Sequence, residues 1–222
     1  MLSTKNVTAN KLKPVINPGN HVVKINDLTF EATPYDPQAY NVVLHVETQP
    51  IGGDFQGFLV DPNNQNGPRY QGQVGRVRMS PYPYKDATFP NGRTIERDQE
   101  IVKAMAFLAD VLNKRDEVDM IEANTIAEFM NACKQIFSGS QYFNACIGGR
   151  EWKNNEGYIN VDLHLPRMSR TGLPLEALDA DNSRLLAFNY DEHVRKVADS
   201  GSTATAGNFE PSNANSSSDF DL

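Results

Sequence analysis

The sequence predicts a mainly β protein with a few helices, in the α+β class. Residues 21–49 alternate apolar and polar side chains as half-buried strands do, and residues 143–165 return to that alternation. Between them, over residues 98–137, apolar side chains recur roughly every three to four positions, which is the helical period. Strands are therefore expected before and after a helical insertion.

The first two predicted strands form a hairpin. In residues 21–33, Val23 and Ile25 share one face, and residues 40–49 alternate in the same way. Residues 34–37 begin and end with proline, which fixes its own φ and favours extended backbone before it. This segment is therefore predicted to be the turn.

Residues 69–80 are predicted to form the third strand. Val77 and Met79 fall on one face of it, and Arg76 and Arg78 fall on the other. The apolar pair is expected to face the core, which leaves the two arginines on the outer surface.

Two amphipathic helices follow the third strand. Asp98 is the predicted N-cap of the first helix, and Thr125 with Glu128 forms a capping box that opens the second. The apolar stripes that should face the core consist of Ile101, Met105, Leu108 and Leu112 in the first helix, and Ile126, Phe129, Met130, Cys133 and Phe137 in the second.

Residues 143–152 and 157–165 are predicted to form a second hairpin around a polar loop. The side chains expected to face inward from its second strand are Ile159, Val161, Leu163 and Leu165. The element order then predicts an OB-fold, a five-stranded barrel with a helical insertion between strands 3 and 4.

The chain length suits one folded domain followed by a tail. We predict a flexible N-terminal lead over residues 1–20, the OB-fold domain over residues 21–197 and a disordered acidic tail over residues 198–222. Residues 183–197 mix apolar and charged side chains and are predicted to add a last helix. The tail has no Lys or Arg and few apolar side chains, so it cannot bury enough surface to offset the entropy of ordering.

The formal net charge of −7 lies almost entirely in the C-terminal region. Residues 1–175 hold 18 basic and 19 acidic side chains, a balance of −1, whereas residues 176–222 hold 3 and 9, a balance of −6. A nearly neutral domain can still carry a basic groove on one face, because binding responds to the local potential. The acidic balance therefore does not exclude a nucleic-acid partner.

Most catalytic and metal-binding patterns are absent from the sequence. It contains no phosphate-binding loop, dinucleotide-binding glycine motif, nucleophile elbow, zinc-protease motif or EF-hand loop. The two cysteines lack metal-ligand spacing, and the four histidines are widely separated. We therefore expect no enzymatic activity, no metal and no cofactor, and the lack of an apolar leader or membrane span predicts a cytoplasmic protein.

One catalytic alternative stays open, a metal-dependent nuclease. Glu151 and Lys153 flank Trp152, and this short acid-x-lysine pattern could hold a metal together with an upstream carboxylate such as Asp98 or Asp119. The competing interpretation is a charged flank of a loop, since no spacing fixes the acidic partner.

Residues 69–85 form a block in which cations and aromatic rings are interleaved. Its members are Arg69, Tyr70, Arg76, Arg78, Tyr82, Tyr84 and Lys85, and no acid occurs from residue 62 to residue 85. Binding of single-stranded DNA without sequence preference needs cations for the phosphates and exposed rings for the bases, so these residues are predicted DNA contacts. The alternative is that Tyr82 and Tyr84 cover the core while the arginines pair with surface acids.

The second hairpin adds a smaller set of the same residue types. Arg150, Trp152, Lys153 and Tyr158 lie around its loop and are also predicted DNA contacts. Trp152 is either a second stacking platform or an ordinary amphipathic surface tryptophan.

The C-terminal tip, Asp219, Phe220, Asp221 and Leu222, places apolar side chains between acids. That arrangement has the form of a docking motif, although such a tail can also serve only solubility. We predict that the tip contacts partner proteins, and that the tail occupies the basic groove when DNA is absent.

Several segments resemble the single-stranded DNA-binding proteins of tailed bacteriophages, most closely those of gut Bacteroidetes phages related to the crAss-like group. The segments are YQGQVGRVRMSPYPY, RDQEI, IGGREW and YINVDLHLP, and the likeness covers most of residues 20–168. The tail is similar to the acidic, phenylalanine-tipped ends of bacterial and phage single-strand binders.

The resemblance implies an OB barrel that binds DNA and a tail that recruits replication and recombination proteins. It implies DNA contacts at Arg76, Arg78, Tyr82, Tyr84 and Trp152, and a partner contact at Phe220. Leu222 follows the last acid where bacterial members end in proline and phenylalanine, so host partners are not expected to recognise this tip. A virion or scaffold-associated structural protein with an OB-like barrel is the alternative, and homo-oligomerisation stays open.

Overall fold

The computed structural model describes residues 15–50, 59–60, 69–70, 72–169 and 172–197, with only the backbone of 59–60 and 69–70. The strands are β1 (Gly19–Thr33), β2 (Asp36–Thr48), β3 (Leu59–Val60), β4 (Arg69–Tyr70), β5 (Val74–Arg78), β6 (Ala87–Thr88), β7 (Thr94–Ile95), β8 (Phe143–Lys153), β9 (Ile159–His164), β10 (Leu175–Ala177) and β11 (Val194–Arg195). The helices are α1 (Arg97–Val111), α2 (Arg115–Asp119), α3 (Ile126–Phe137) and α4 (Tyr190–His193). The mostly β, α+β class is confirmed.

The hydrogen bonds of five strands run in a closed ring. β1 pairs antiparallel with β2, β2 pairs antiparallel with β5, and β5 pairs parallel with β9. β9 then pairs antiparallel with β8, which returns antiparallel to β1. β10 and β11 add to β8 outside this ring, so β8 carries strands along both of its edges.

The predicted first hairpin is confirmed. Thr33 and Asp36 close a tight turn in which the Thr33 hydroxyl accepts from the Asp36 amide at 3.1 Å. Val23 and Ile25 are fully buried, as their alternation predicts. The hairpin therefore presents one face to the core along most of its length.

The predicted third strand is divided in two. Residues 69–70 pair with β3, whereas Val74–Arg78 joins the ring between β2 and β9. Between these parts the backbone at Gly72 passes so close to Thr48 that an added Cβ would lie 2.1 Å from the Thr48 carbonyl oxygen. This close approach places Gly72 against the end of β2.

The two predicted helices are present, and a short third helix lies between them. The apolar stripes pack with the strands of the ring in one core cluster, which includes Ile101, Met105, Leu108, Leu112, Met130, Cys133 and Phe137. The Thr125 cap is confirmed, since its hydroxyl accepts from the Glu128 amide at 3.2 Å. The Asp98 cap is wrong: Asp98 pairs with Arg97, and the Arg97 amide instead donates to the Asp86 carboxylate at 2.8 Å.

The second hairpin is also confirmed, with one correction to its inward face. Leu163 and Leu165 are buried as predicted, but Ile159 is 57% exposed. Ile159 pairs with Lys153 at the end of the hairpin, where both residues extend past the core. Alternation predicts which side of a strand a side chain faces, but it does not predict where along the strand the hydrophobic core ends.

The predicted last helix over residues 183–197 is wrong for most of that segment. Only Tyr190–His193 is helical, while Leu185 forms a parallel bridge with Leu173 and Val194 joins β8. Backbone pairing with these neighbours replaces the local helical bonds. The segment therefore runs in extended form past Leu173 and reaches β8 at Val194–Arg195.

Ordered structure begins before the predicted boundary near residue 21. Ile16 is 1% exposed, and its amide donates to the Val74 carbonyl at 3.0 Å. Residues 1–14 of the predicted lead and the whole predicted tail, 198–222, lie outside the described residues. Within the described ranges, no helix combines the length and apolar character that crossing a bilayer requires.

Candidate nucleic-acid interface

The outer side of three neighbouring strands carries four of the eleven predicted DNA contacts, Arg76, Arg78, Arg150 and Trp152. Val77 and Leu163 are buried register partners, so the residues next to them in β5 and β9 point outward. We call this outer surface the arginine face and define it by Arg76 and Arg78 of β5, Asp162 and His164 of β9, and Arg150 and Trp152 of β8. Strand pairing thus brings together residues from the two predicted binding segments.

Arg76 is partly neutralised by an ion pair on this face. Its guanidinium donates to Glu31 of β1 at 2.8 Å, and both side chains are largely solvent-exposed. An exposed pair of this kind contributes only ~0–1 kcal/mol, so a phosphate can compete with Glu31 for the guanidinium. Arg76 also lines a cleft of about 380 Å³ that it shares with Arg78 and Asp162.

Arg78 lies nearer the centre of the arginine face. It is half-buried, is the register partner of His164, and makes no ion pair within the described ranges. Burial lowers the pKa of His164, and the positive charge of Arg78 lowers it further. His164 is therefore neutral at neutral pH, and the positive charge at this point belongs to Arg78.

His164 is less accessible than its outward position predicts. Alternation along β9 places His164 on the outer side of the strand, but the residue is only 9% exposed. It lies against Gly148, where the C-terminal segment passes so closely that an added Cβ would be 2.4 Å from the His193 carbonyl oxygen. The Cε1 atom of His164 lies 3.4 Å from the same added Cβ, so the C-terminal segment passes beside this side chain.

Trp152 is held in place at the edge of the arginine face. Its indole Nε1 donates to Asp162 Oδ1 at 3.0 Å, and the side chain remains 44% exposed. The hydrogen bond fixes the ring while leaving part of it open to solvent. A fixed, open ring loses little entropy when a planar ligand stacks on it.

The loop of the second hairpin extends this aromatic edge. Tyr158 is 67% exposed, and Lys153 beside it is exposed as well. The Asn154 carboxamide oxygen accepts from the amides of Glu156 and Tyr158 at 3.0 and 2.8 Å, which orders the turn. Tyr158 is therefore presented by a turn with its own internal hydrogen bonds.

A second feature adjoins the arginine face, a cavity of about 530 Å³ that we call the arginine pocket. Its lining consists of Pro81, Tyr82, Arg150, His164, Pro166, Arg167, Ser169, Leu186, Glu192, His193 and Arg195. Three of these residues are exposed arginines from three separate parts of the chain, and none makes an ion pair within the described ranges. Glu192 is the one carboxylate of the lining, so the pocket carries an excess of positive charge.

Tyr82 forms an aromatic wall of the arginine pocket. The Cζ atom of Arg167 lies 5.1 Å from the centroid of its ring, which is a cation–π arrangement. The ring is nevertheless 57% exposed. Tyr82 therefore keeps surface on which another planar group can stack.

Tyr84 has a different position from Tyr82. Its ring packs against the core, its backbone pairs with that of Tyr40 at 2.8 and 2.9 Å, and burial raises the pKa of its hydroxyl to about 12. This placement agrees with the alternative in which the tyrosine covers the core. Lys85, the next residue, is exposed.

Some predicted site residues lie outside what the structure describes. The backbone of Arg69 and Tyr70 forms β4, but their side chains are not among the described residues. The same applies to the whole of the predicted partner-binding tip, Asp219, Phe220, Asp221 and Leu222. Their predicted roles stay predictions.

Arg167 and Arg195 were missed by the sequence interpretation. Both lie after residues 157–165, the last segment predicted to be a strand, and neither has an aromatic residue next to it in the chain. The signal that could have found Arg167 is its place just after β9, the strand that pairs with the arginine-bearing β5. Arg195 has no such signal, because its pairing with β8 depends on the path of the C-terminal segment.

The carboxylates considered for a nuclease have other partners. Glu151 accepts from the Tyr190 hydroxyl at 2.6 Å and from the Val197 amide at 3.1 Å, and these bonds lower its pKa. Asp98 pairs with Arg97, and Asp119 pairs with Arg115. Among the described residues, no group of three or more potential metal ligands comes together.

The surface as a whole combines guanidinium groups with fixed, partly open aromatic rings. Guanidinium groups form paired hydrogen bonds with phosphate oxygens, and aromatic rings stack on planar bases. Comparisons of the chain with protein-family models, with curated proteins and with solved structures gave no match. The ligand class is therefore inferred from the chemistry of these side chains.

Proposed function

We propose that the protein binds single-stranded DNA without sequence preference, across the arginine face and the arginine pocket. The observation that carries this proposal is the meeting of Arg78, Arg150 and Arg167 with the open rings of Tyr82 and Trp152 on adjoining surfaces. The three guanidinium groups lack ion-pair partners within the described part of the chain. They are available to phosphates.

A single strand fits this surface better than a duplex. In a duplex the faces of the bases are stacked on one another, whereas in a single strand they are open to aromatic side chains. Each base stacked on such a ring contributes about 1–3 kcal/mol, and the contribution depends little on which base it is. Tyr82, Trp152 and Tyr158 are the exposed rings that would supply this binding.

The order of the ring supports an OB-fold as the scaffold. Counted along the chain, its strands follow the order first, second, third, fifth, fourth and back to the first, with the helices between the third and fourth. OB-folds bind oligonucleotides on the face of strands 2 and 3 and on the loops that join strands 1–2 and 4–5. The corresponding elements here are β2 with β5, and the hairpin of β8 and β9.

The proposed biological role is protection of single-stranded DNA during phage replication and recombination, in the cytoplasm of the host cell. It follows the resemblance of segments such as IGGREW to phage single-strand binders. Asp219, Phe220, Asp221 and Leu222 would then recruit replication or recombination proteins. The amide of the last described residue, Val197, donates to Glu151, which lies between Arg150 and Trp152 in β8.

Binding to oligo-dT tests the proposal. The protein should shift the oligonucleotide in a native gel and quench the fluorescence of its one tryptophan, Trp152, with tight binding at low salt that weakens steeply as salt rises. Arg115→Ala is the matched control, because it removes an exposed cation of α2 that pairs with Asp110 and Asp119. This variant should bind as the wild type does.

The same experiment separates the two alternatives. A virion or scaffold-associated structural protein would give neither a shift nor quenching at any salt concentration. A metal-dependent nuclease would shorten the oligonucleotide when Mg²⁺ is added, whereas a binding protein would leave it intact. Absence of any shift and quenching, or shortening of the oligonucleotide with Mg²⁺, would overturn single-strand binding as the function.

A further inference from the structure

We propose that the arginine pocket holds a single nucleotide unit, with its phosphate on Arg150, Arg167 and Arg195 and its base on the ring of Tyr82. The inference rests on the proposed function and deepens it, since it names one place on the surface where one nucleotide is held more closely than its neighbours. It also implies that a free nucleotide can enter the pocket, whose shape, charge and stacking surface each suit such a ligand.

The shape is that of a partly open cavity. Its volume of about 530 Å³ falls in the usual range for small-ligand sites, which is roughly 300–1,000 Å³. His164 and Pro166 are buried and lie in its lining. The C-terminal segment, through His193 and Arg195, forms another part of the wall.

The arginine pocket brings positive charges together, and a bound anion would stabilise that arrangement. Arg150 of β8 and Arg195 of β11 are direct register partners, and both line the pocket. Register partners project to the same side of a sheet, so their like charges repel each other. Neither guanidinium makes an ion pair within the described ranges, so a phosphate between them would offset this repulsion.

His193 adds a ring nitrogen that can donate a hydrogen bond. Its Nδ1 atom accepts from the amide of Asn189 at 2.9 Å. Since Nδ1 accepts this bond, the ring proton lies on Nε2, which makes no hydrogen bond within the described ranges and can donate to a ligand. Glu192 is the one carboxylate in the lining, so positive charges outnumber negative ones around a phosphate there.

The stacking surface is the ring of Tyr82. Arg167 lies over this ring and also belongs to the pocket, so the same arginine orients the ring and faces the phosphate. The remaining exposed part of the ring is open to a base. The proposed phosphate and base contacts thus line one cavity.

The test uses the full chain with dTMP, thymidine and inorganic phosphate as separate probes. Thermal unfolding should shift upward with increasing dTMP, because a ligand that binds only the folded state stabilises it. Thymidine should give little shift and inorganic phosphate a smaller one than dTMP, since each lacks one of the two contacts. dTMP should also displace oligo-dT only partly, because the arginine face stays available to the strand.

Variants of Arg195 connect the effect to the pocket. Arg195→Ala should weaken dTMP binding by about tenfold or more, the amount expected for a lost charge-assisted hydrogen bond. Arg195→Lys should recover only part of it, because an ammonium group cannot bind phosphate in the paired manner of a guanidinium. Arg184→Ala is the control, since Arg184 is an exposed arginine of the same segment outside the pocket lining.

The outcomes separate this inference from the proposed function. Binding of oligo-dT without any dTMP effect, or equal dTMP binding by wild type and Arg195→Ala, would overturn the nucleotide pocket and leave single-strand binding intact. Binding of dTMP that Arg195→Ala abolishes, together with no binding of oligo-dT, would support the pocket and overturn single-strand binding.

Discussion

The indole of Trp152 donates to the carboxylate of Asp162 at 3.0 Å across the β8–β9 pair, and Asp162 is at the same time the register partner of Arg150. The carboxylate therefore fixes an aromatic ring that the proposed function uses. It also places a negative charge on a surface that should bind phosphates. These two effects on DNA binding oppose each other and can be separated by substitution.

Asp162→Asn is expected to tighten binding of oligo-dT about three- to fivefold at low salt. The amide oxygen can still accept from the indole, while the charge is removed, and one charge about 4 Å from a phosphate in water contributes ~1 kcal/mol. Affinity is measured by titration with fluorescence detection. Asp162→Ala is the comparison, because it removes the charge and also releases the indole. Binding by Asp162→Asn that is equal to or weaker than that of the wild type would mean that this carboxylate does not face the DNA.

Stability should decrease as the pH falls below about 6.5, the ordinary pKa of histidine. Burial lowers the pKa of His164 and of His45 in the folded protein, so below that pH the unfolded chain binds protons that the folded one does not. The free energy of unfolding is then lost as the pH falls toward the folded pKa values, by at most about 1.4 kcal/mol per pH unit for each proton.

Urea unfolding at pH 7.5 and pH 5.5 measures this loss, at values chosen above the range where carboxylates titrate. His164→Gln should lose less stability between the two pH values than the wild type, whatever its absolute stability. Equal losses in the two proteins would show that His164 is not the group responsible.

Both cysteines should be unreactive in the folded protein. Cys133 and Cys146 are fully buried, and burial raises the pKa of their thiols to about 12 and about 11. The thiolate, which is the reactive form, is then almost absent at pH 8. A thiol reagent such as DTNB should label neither cysteine until guanidinium is added, when both should react. Rapid labelling of one thiol in the native protein would place that cysteine outside the core.

Deletion of residues 210–222 should tighten DNA binding at low salt and abolish the retention of replication or recombination proteins in a pull-down. The segment carries negative charge, which competes with DNA for a basic surface when screening is weak. Asp219→Asn combined with Asp221→Asn is the control that keeps the length of the tail and should reproduce the tighter binding. An affinity equal to that of the full chain would mean that the tail does not compete for the site.

The local elements could be predicted from the sequence because each carries its own periodic signal. Val23 and Ile25 in β1, and the stripe that includes Met105 and Leu108 in α1, are buried as their spacing predicts. The division of residues 69–80 into two strands could not be predicted from the sequence, because the backbone between them at Gly72 lies against Thr48 at the end of β2. The return of β8 to β1 is likewise a contact between segments far apart in the chain.

The candidate site could be predicted only where cations and rings adjoin in sequence. Arg76, Arg78 and Tyr82 were found in this way, and the register of β9 with β8 explains why Arg150 lies close to them. Arg195 was missed because the path of the C-terminal segment depends on backbone pairing with β8 and not on local periodicity. The same path passes beside His164, which is buried although alternation alone places it at the surface.

Salt dependence of oligo-dT binding tests the central claim most directly, through comparison of wild type with an Arg78→Ala, Arg150→Ala double variant. For single strands, the slope of log K against log salt concentration falls by about 0.7 for each phosphate contact removed. The double variant should therefore bind more weakly, with a slope smaller by about 1.4, while Arg115→Ala keeps the wild-type slope. Equal slopes for all three proteins would contradict phosphate binding on the arginine face.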